Sequence, residues 1–188
     1  MKLLPLLIAL FTFAACADAQ VKAQQEGPVI GEVDHKEKLR QGPAKPGKEY
    51  LTLRIGSAAV EKGEKVCLPI EATGFKDLIG FQYTIRFDSA ALDFDRVRSF
   101  NLPGYQANSF GTRFADRGVV SSLWTDLALK GTSLADNHRL YEICFTNLME
   151  EGETTTVEFS DGPTSFEVID KAMAELRFIY ANGKVTSK

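Results

Sequence analysis

Two groups of polar residues have the types and spacing that hydrolytic chemistry needs. Asp93 and Asp95 are two positions apart, and on a strand their carboxylates would lie roughly 6.5–7 Å apart, which superficially suits a pair of catalytic carboxylates. Ser133, Asp136 and His138 supply the three side chains of a nucleophilic triad. Nothing beside the aspartates would raise one pKa, and no Gly-x-Ser-x-Gly turn presents the serine. Both groups are therefore interpreted as solvated polar residues, and no enzyme is predicted.

The sequence also has few of the residues that binding of a metal or of a nucleic acid requires. The chain has 188 residues and only two histidines, and the run Glu150-Glu151-Gly152-Glu153 lacks the ligand spacing of a calcium loop. Lys and Arg total 22 against 25 Asp and Glu, which gives a net charge of −3, whereas a nucleic-acid-binding protein needs a basic face. We therefore expect no catalytic residue, no metal, no cofactor and no nucleic-acid partner for this chain.

Residues 1–19 have the pattern of an export signal. A short basic start, Met1-Lys2, precedes the thirteen uncharged residues Leu3–Ala15, a run too short to cross a bilayer as a mature helix. Cleavage after Ala19 would release a soluble protein. Alternatively, Phe13-Ala14-Ala15-Cys16 resembles a bacterial lipobox, in which residues 1–15 are removed and Cys16 becomes a lipid anchor. Both alternatives predict an exported protein, either secreted or held at the bacterial cell surface or outer membrane as a lipoprotein, with membrane contact only through that lipid.

Residues 20–49 are predicted to be a flexible linker. They contain no aromatic residue, mix acidic and basic side chains, and end in the Gly- and Pro-rich run Gly42–Gly47. So little apolar surface cannot offset the entropy lost when thirty residues become ordered. The folded domain is therefore expected to occupy residues 50–188.

From Tyr50 onward, apolar and polar residues alternate in short runs, as in strands with one buried face. The clearest run places Phe81, Tyr83, Ile85 and Phe87 on one side, and the run 118–125 places Trp124 on its buried side. Asn182-Gly183 is predicted to turn a closing hairpin. No segment keeps a helical period, so the chain is predicted to be all-β, with two sheets packed as a sandwich.

Three of these runs match the motifs of a known family. In Ile79–Phe94 a strand ends in Phe87-Asp88 and a short turn leads to Leu92-Asp93-Phe94, while Gly63–Ile70 and Leu140–Phe145 match two further strands. On these motifs, residues 50–187 resemble the cohesin domains of bacterial surface proteins. The resemblance implies a non-catalytic jelly-roll sandwich of about nine strands, which docks a dockerin-bearing partner protein. A dockerin is a small helical module loaded with calcium, so calcium is expected in the partner and not in this chain.

Two other functions remain open, because one fold serves several ligands. Carbohydrate-binding modules share this sandwich, so a polysaccharide is an alternative ligand, and Trp124 is the aromatic residue that could stack on a sugar. Trp124 nevertheless lies on the same side of its strand as Val120, which predicts that it is buried and packs in the core. A structural or adhesive surface domain without dockerin binding is the other alternative.

The resemblance also implies a disulfide between Cys67 and Cys144. Their strands are neighbours in one sheet of cohesins, and both cysteines fall on the outward side of their strands by alternation. Facing positions on paired strands are close enough for a disulfide, and export permits one. Two free thiols are the alternative.

In cohesins the partner lies across one flat sheet, formed partly by the strands that match Ile79–Phe87 and Gly118–Thr125. Carried over to this chain, the partner-binding residues are the outward ones: Gln82, Thr84, Arg86, Val119, Ser121, Leu123 and Thr125. Val119 and Leu123 are the most informative, because two aliphatic side chains on an outward face are more than solvation requires. Apolar anchors surrounded by polar groups are typical of protein interfaces.

Overall fold

The computed structural model of the chain describes residues 50–188. The signal peptide (residues 1–19, or 1–15 with a lipid on Cys16) and the linker (residues 20–49) lie outside the described residues and remain predictions. Within residues 50–188, no helix has the length and apolar character needed to span a membrane.

Alternating apolar and polar residues form twelve strands in the described part of the chain. They are β1 (Tyr50–Ile55), β2 (Ala58–Val60), β3 (Lys65–Thr73), β4 (Leu78–Phe87), β5 (Leu92–Arg98), β6 (Phe110–Gly111), β7 (Val119–Thr125), β8 (His138–Asn147), β9 (Thr154–Ser160), β10 (Glu167–Asp170), β11 (Arg177–Ala181) and β12 (Gly183–Ser187). Two short 3₁₀ turns, Ala107–Ser109 and Ala115–Arg117, precede β6 and β7. The all-β prediction is confirmed. The expected count of about nine strands is wrong, partly because β2 and β6, with three and two residues, are too short to show alternation.

Hydrogen bonds join these strands into two sheets. The five-stranded sheet has the order β11-β1-β3-β8-β5, and the seven-stranded sheet has the order β2-β12-β9-β4-β7-β6 with β10 also paired to β4. β4 is the centre of the second sheet, since β7 pairs along one edge while β10 and β9 pair with successive halves of the other. The two sheets bury one shared core, so the predicted sandwich is confirmed.

The core consists of the inward side chains of both sheets, with aromatic rings at its centre. Phe81 and Tyr83 are exposed for only 1% and 0% of their surface, which confirms the parity predicted for β4. Trp124 is also buried, as predicted, and its indole N–H donates to the carbonyl oxygen of Pro103 at 2.8 Å. The indole is therefore not available to stack on a sugar.

A cluster of hydroxyl groups lies inside this apolar core. The Tyr83 hydroxyl lies 3.2 Å from that of Tyr105 and 3.0 Å from that of Tyr141, and Tyr105 also bonds Ser122. Because Tyr83 and Ser122 belong to the seven-stranded sheet and Tyr141 to the five-stranded sheet, the cluster ties the two layers together. Burial raises the pKa of all three tyrosines, since the charged phenolate is disfavoured away from water.

β11 and β12 do not pair, so the hairpin predicted at Asn182-Gly183 is wrong. β11 runs parallel to β1 in the five-stranded sheet, whereas β12 runs antiparallel to β9 in the seven-stranded sheet. The chain crosses between the sheets at Asn182, whose Oδ1 accepts the Phe159 backbone N–H at 3.0 Å. A Cβ at position 183 would overlap the carbonyl oxygen of Gly56. Glycine is therefore needed there for a close approach of two backbones and not for a turn.

Cys67 on β3 and Cys144 on β8 lie opposite each other in the five-stranded sheet and form a disulfide. The predicted pairing is confirmed. Cys144 is completely buried although it lies on the outer side of its strand, while Cys67 is partly buried. The bond fixes β3 to β8 across a sequence separation of 77 residues.

Candidate docking face on the seven-stranded sheet

The residues predicted to bind a partner lie side by side on the outer surface of β4 and β7. We call the outward side chains of these two strands the candidate face. Antiparallel pairing arranges them in facing positions: Gln82 with Leu123, Thr84 with Ser121, Arg86 with Val119, and Thr125 opposite Gly80. Residues predicted from the family resemblance and from alternation thus lie on two paired strands.

The candidate face exposes one large apolar side chain among polar neighbours. Leu123 is exposed for 54% of its surface, and Thr125 beside it is exposed as well. Four other residues of the candidate face are partly buried: Gln82, Arg86, Val119 and Ser121. An aliphatic side chain held in water on the outer face of a sheet has the character of an interface anchor.

Thr84 is the exception, because its side chain is completely buried. The segment 161–166, between β9 and β10, covers it. Thr84 Oγ1 donates to the Thr164 carbonyl oxygen at 2.9 Å and accepts the Thr164 backbone N–H at 2.9 Å. Thr84 is therefore not available to a partner in this structure, and the expectation that it contacts one is corrected. Its hydroxyl instead holds the covering segment in place.

A groove with a volume of about 190 Å³ lies at the end of the candidate face where Gly80 sits. Gly80 contributes no side chain to it, while Leu123 and Leu129 line it from β7 and the following loop, and Ile169 lines it from β10. Gln82, Thr125 and Glu167 contribute polar groups to the same lining. Sequence reasoning missed Leu129 and Ile169, although a glycine inside a strand is a signal for close approach of another group.

The opposite end of the candidate face is cationic. Val119, which faces Arg86 on β4, donates its backbone N–H to the carbonyl oxygen of Phe114 at 3.1 Å, so Phe114 lies beside this end of β7. The guanidinium carbons of Arg113 and Arg117 lie 5.6 and 5.5 Å from the centre of the Phe114 ring. The Nε of Arg86 is buried and has no hydrogen-bond partner among the described residues. Arg113, Phe114 and Arg117 were not among the predicted partner-binding residues, although two arginines close to one phenylalanine are visible in the sequence.

The outer face of the five-stranded sheet differs from the candidate face in its charges. Its side chains form ion pairs between strands: Arg54–Glu71 at 2.6 Å, Lys65–Asp95 at 2.9 Å and Arg98–Glu142 at 2.9 Å. Within residues 50–188, no ion pair joins side chains of the candidate face. Charged residues are depleted at the centres of protein interfaces, so the seven-stranded sheet has the more suitable face for docking.

One carboxylate of the pair considered for hydrolysis, that of Asp95, is held in salt bridges. Asp95 accepts from Lys65 at 2.9 Å and lies 3.1 Å from Arg96. The hydrogen bond from Lys65 holds the pKa of Asp95 below its usual value. A carboxyl group that stays ionised cannot act as the general acid of such a pair.

The three side chains of the notional triad bond other groups. His138 Nε2 lies 3.0 Å from the carbonyl oxygen of Asn101, and Asp136 accepts the Gly74 backbone N–H at 2.9 Å. Ser133 Oγ accepts a backbone N–H from residue 77. In the described part of the chain, no group of three or more His, Cys, Asp or Glu side chains could hold a metal ion.

Two packed sheets that bury one shared core define a β-sandwich. A family model described as the cohesin domain matches residues 51–186, and the chain belongs to this family. The resemblance read from the strand motifs is thereby confirmed. No curated protein matches the chain.

Solved cohesins have a similar architecture. A type I cohesin–dockerin complex from Clostridium thermocellum has a TM-score of 0.62 and 15% identity, covering 74% of this chain and 99% of the other. The third cohesin of ScaC from Acetivibrio cellulolyticus, solved with the ScaB dockerin, has a TM-score of 0.62 and 17% identity over 73% and 98% of the two chains. A non-cellulosomal cohesin from Archaeoglobus fulgidus has a TM-score of 0.52 and 14% identity over 72% and 89%. At these identities the likeness shows the fold alone.

Proposed function

We propose that this chain is an exported, non-catalytic module that docks a dockerin-bearing protein on the candidate face. Membership of the cohesin family and the cohesin–dockerin complexes among its structural neighbours support this proposal. The observation that carries it is the contrast between the two outer faces: one is internally ion-paired, and the other presents exposed Leu123 beside an apolar groove.

The mechanism is docking on a preformed surface. β4 is hydrogen-bonded along both edges, so the candidate face loses little conformational entropy when a partner binds. Leu123 supplies an exposed apolar anchor beside the groove, and the polar side chains around it fix orientation. We expect calcium to belong to the dockerin and no cofactor to be required by this chain.

The test is calorimetric titration of the full-length chain with purified dockerin modules encoded by the organism that makes it. We expect at least one dockerin to bind in calcium and to lose binding when EDTA removes the metal. Absence of binding by every dockerin would contradict the proposal and favour a structural or adhesive role. Polysaccharide retention is not favoured, because the outward positions of β4 and β7 carry no aromatic side chain.

The export part of the proposal has its own test, because it depends on residues outside the described structure. The mass of the mature protein isolated from cells distinguishes cleavage after Ala19 from acylation at Cys16. Incorporation of labelled palmitate that is lost in Cys16→Ala identifies the lipoprotein. Recovery of protein that still begins at Met1 would contradict export by a cleaved signal.

A further inference from the structure

Gly80 lies in the interior of β4, where a glycine weakens a strand unless it serves another purpose. A Cβ at this position would lie 3.3 Å from the carbonyl oxygen of Trp124 and 3.9 Å from Thr125 Oγ1. A side chain could therefore be accommodated with a small adjustment, and the fold does not demand glycine here. What the glycine leaves is open space above the strand, between β7 and β10.

This space has the size and lining of a pocket for one apolar side chain. Its volume is about 190 Å³, whereas an apolar cavity of roughly 150 Å³ holds a benzene molecule. Leu123, Leu129 and Ile169 supply apolar walls on opposite sides of β4. The groove is open to solvent, and its lining is already in place.

The exposed leucine of the adjoining loop is held in position by backbone hydrogen bonds. Leu129 is exposed for 52% of its surface. The carboxylate of Asp126 accepts the backbone N–H groups of Ala128, Lys130 and Gly131 at 3.0–3.1 Å, which fixes this loop. A fixed apolar side chain costs less entropy on binding than one on a mobile loop. The groove is therefore preorganised for an occupant.

The cationic end of the face lies at a definite distance from this groove. Arg86 and Gly80 are six residues apart on β4, which is a distance of about 20 Å along a strand. A helix of a partner protein needs about 13 residues to cover the same distance. Arg113 and Arg117 lie on the ring of Phe114 at this end, with Asp116 between them in sequence, and Glu158 on β9 faces Arg86 in the register. None of the three arginines forms an ion pair within residues 50–188.

We infer that the dockerin recognised by this chain inserts one apolar side chain into the groove above Gly80 and places a carboxylate against the arginines at the other end. This inference rests on the proposed function and specifies its partner. Continuity of the groove with the candidate face argues for the first contact, and charge complementarity argues for the second. The carboxylate is placed against Arg86, Arg113 and Arg117 because none of these side chains forms an ion pair within residues 50–188.

Filling the groove tests the first contact. The series Gly80→Ala, Gly80→Val and Gly80→Leu adds side-chain volume above the strand, and the Kd for the dockerin that binds the unaltered chain is measured by calorimetry. We expect a graded loss that reaches about 30-fold or more for leucine, the size of an interface hot spot. Thr52→Leu adds the same side chain to the outer face of the five-stranded sheet and should leave Kd unchanged. Circular dichroism and thermal melting establish that each variant is folded.

Charge reversal tests the second contact. Arg86→Glu should weaken the same dockerin by about tenfold or more, and the effect should shrink in 1 M NaCl because salt screens exposed charges. Arg54→Glu, on the opposite face, is the matched control and should bind normally. Unchanged or tighter binding by Arg86→Glu would overturn the assignment of a carboxylate.

The outcomes separate this inference from the function on which it rests. Binding of no dockerin by the unaltered chain would remove both. Equal binding by folded Gly80→Leu and by the unaltered chain would overturn the inference and leave dockerin docking intact. A concentration-dependent dimer in sedimentation that disappears in Gly80→Leu would assign the groove to a second copy of this chain, which also overturns the inference.

Discussion

At the scale of single residues, the polar side chains expected to contribute most to the stability of the fold are buried tyrosines. Tyr83 bonds both Tyr105 and Tyr141 between the sheets, where an unsatisfied polar group is costly. The Tyr141 hydroxyl bonds Tyr83 at 3.0 Å and also interacts with the Tyr105 hydroxyl. Within 3.5 Å, Tyr83 therefore has two hydroxyl partners and Tyr141 has one, and their expected contributions to stability differ.

We expect Tyr83→Phe to lower the free energy of unfolding by about 2 kcal/mol or more, because it leaves two buried hydroxyls short of a partner. Tyr141→Phe removes one bond and should cost about 1 kcal/mol less. Urea unfolding of both variants and of the unaltered chain measures the difference. A larger loss in Tyr141→Phe than in Tyr83→Phe would contradict the arrangement of the cluster.

The same cluster predicts how stability depends on pH. The folded state raises the pKa of Tyr83, Tyr105 and Tyr141 above their ordinary value of 10.0. The unfolded chain therefore releases these protons at lower pH than the folded chain, so stability falls as pH rises past the ordinary value. We expect the free energy of unfolding in urea to decline above about pH 10, and to decline less steeply in Tyr141→Phe. Stability that is constant or rising between about pH 10 and 11 would be the opposite result.

At the scale of elements, the disulfide joins two central strands of the five-stranded sheet. Replacing Cys67 and Cys144 together by alanine should lower the free energy of unfolding by up to about 4.5 kcal/mol, the chain-entropy value for a loop of 77 residues. Urea unfolding measures the loss, and reduction of the unaltered chain should raise its intact mass by about 2 Da, one hydrogen for each sulfur. Equal mass before and after reduction would refute the bond in the exported protein.

Elements that alternate along their whole length were predictable from sequence, because burial of one face imposes a period of two. β4 and β7 are such strands, and the burial predicted for Phe81, Tyr83 and Trp124 is confirmed. Features that depend on distant segments were not predictable. The cover over Thr84 comes from Thr164, and the crossing at Asn182 depends on space beside Gly56. An Asn-Gly pair favours a hairpin locally, but here long-range packing places its two strands in different sheets.

At the scale of the whole molecule, the two outer faces differ in the features that they carry. The five-stranded sheet carries the disulfide and the paired charges, and the seven-stranded sheet carries Leu123, the groove and the arginines. The family motifs predicted which sheet carries the candidate face. They did not predict the groove, because its walls come from β7, β10 and a loop that meet only in the folded chain.

The central claim is that the candidate face, and not the opposite face, binds the partner. The most direct measurement is calorimetric titration of a purified, calcium-loaded dockerin into the unaltered chain, Leu123→Asp and Thr52→Asp. Each aspartate adds one charge to the outer face of one sheet, so the two variants are matched. We predict that Leu123→Asp weakens binding at least about 30-fold while Thr52→Asp binds like the unaltered chain. Loss of binding in Thr52→Asp with retention in Leu123→Asp would contradict this account.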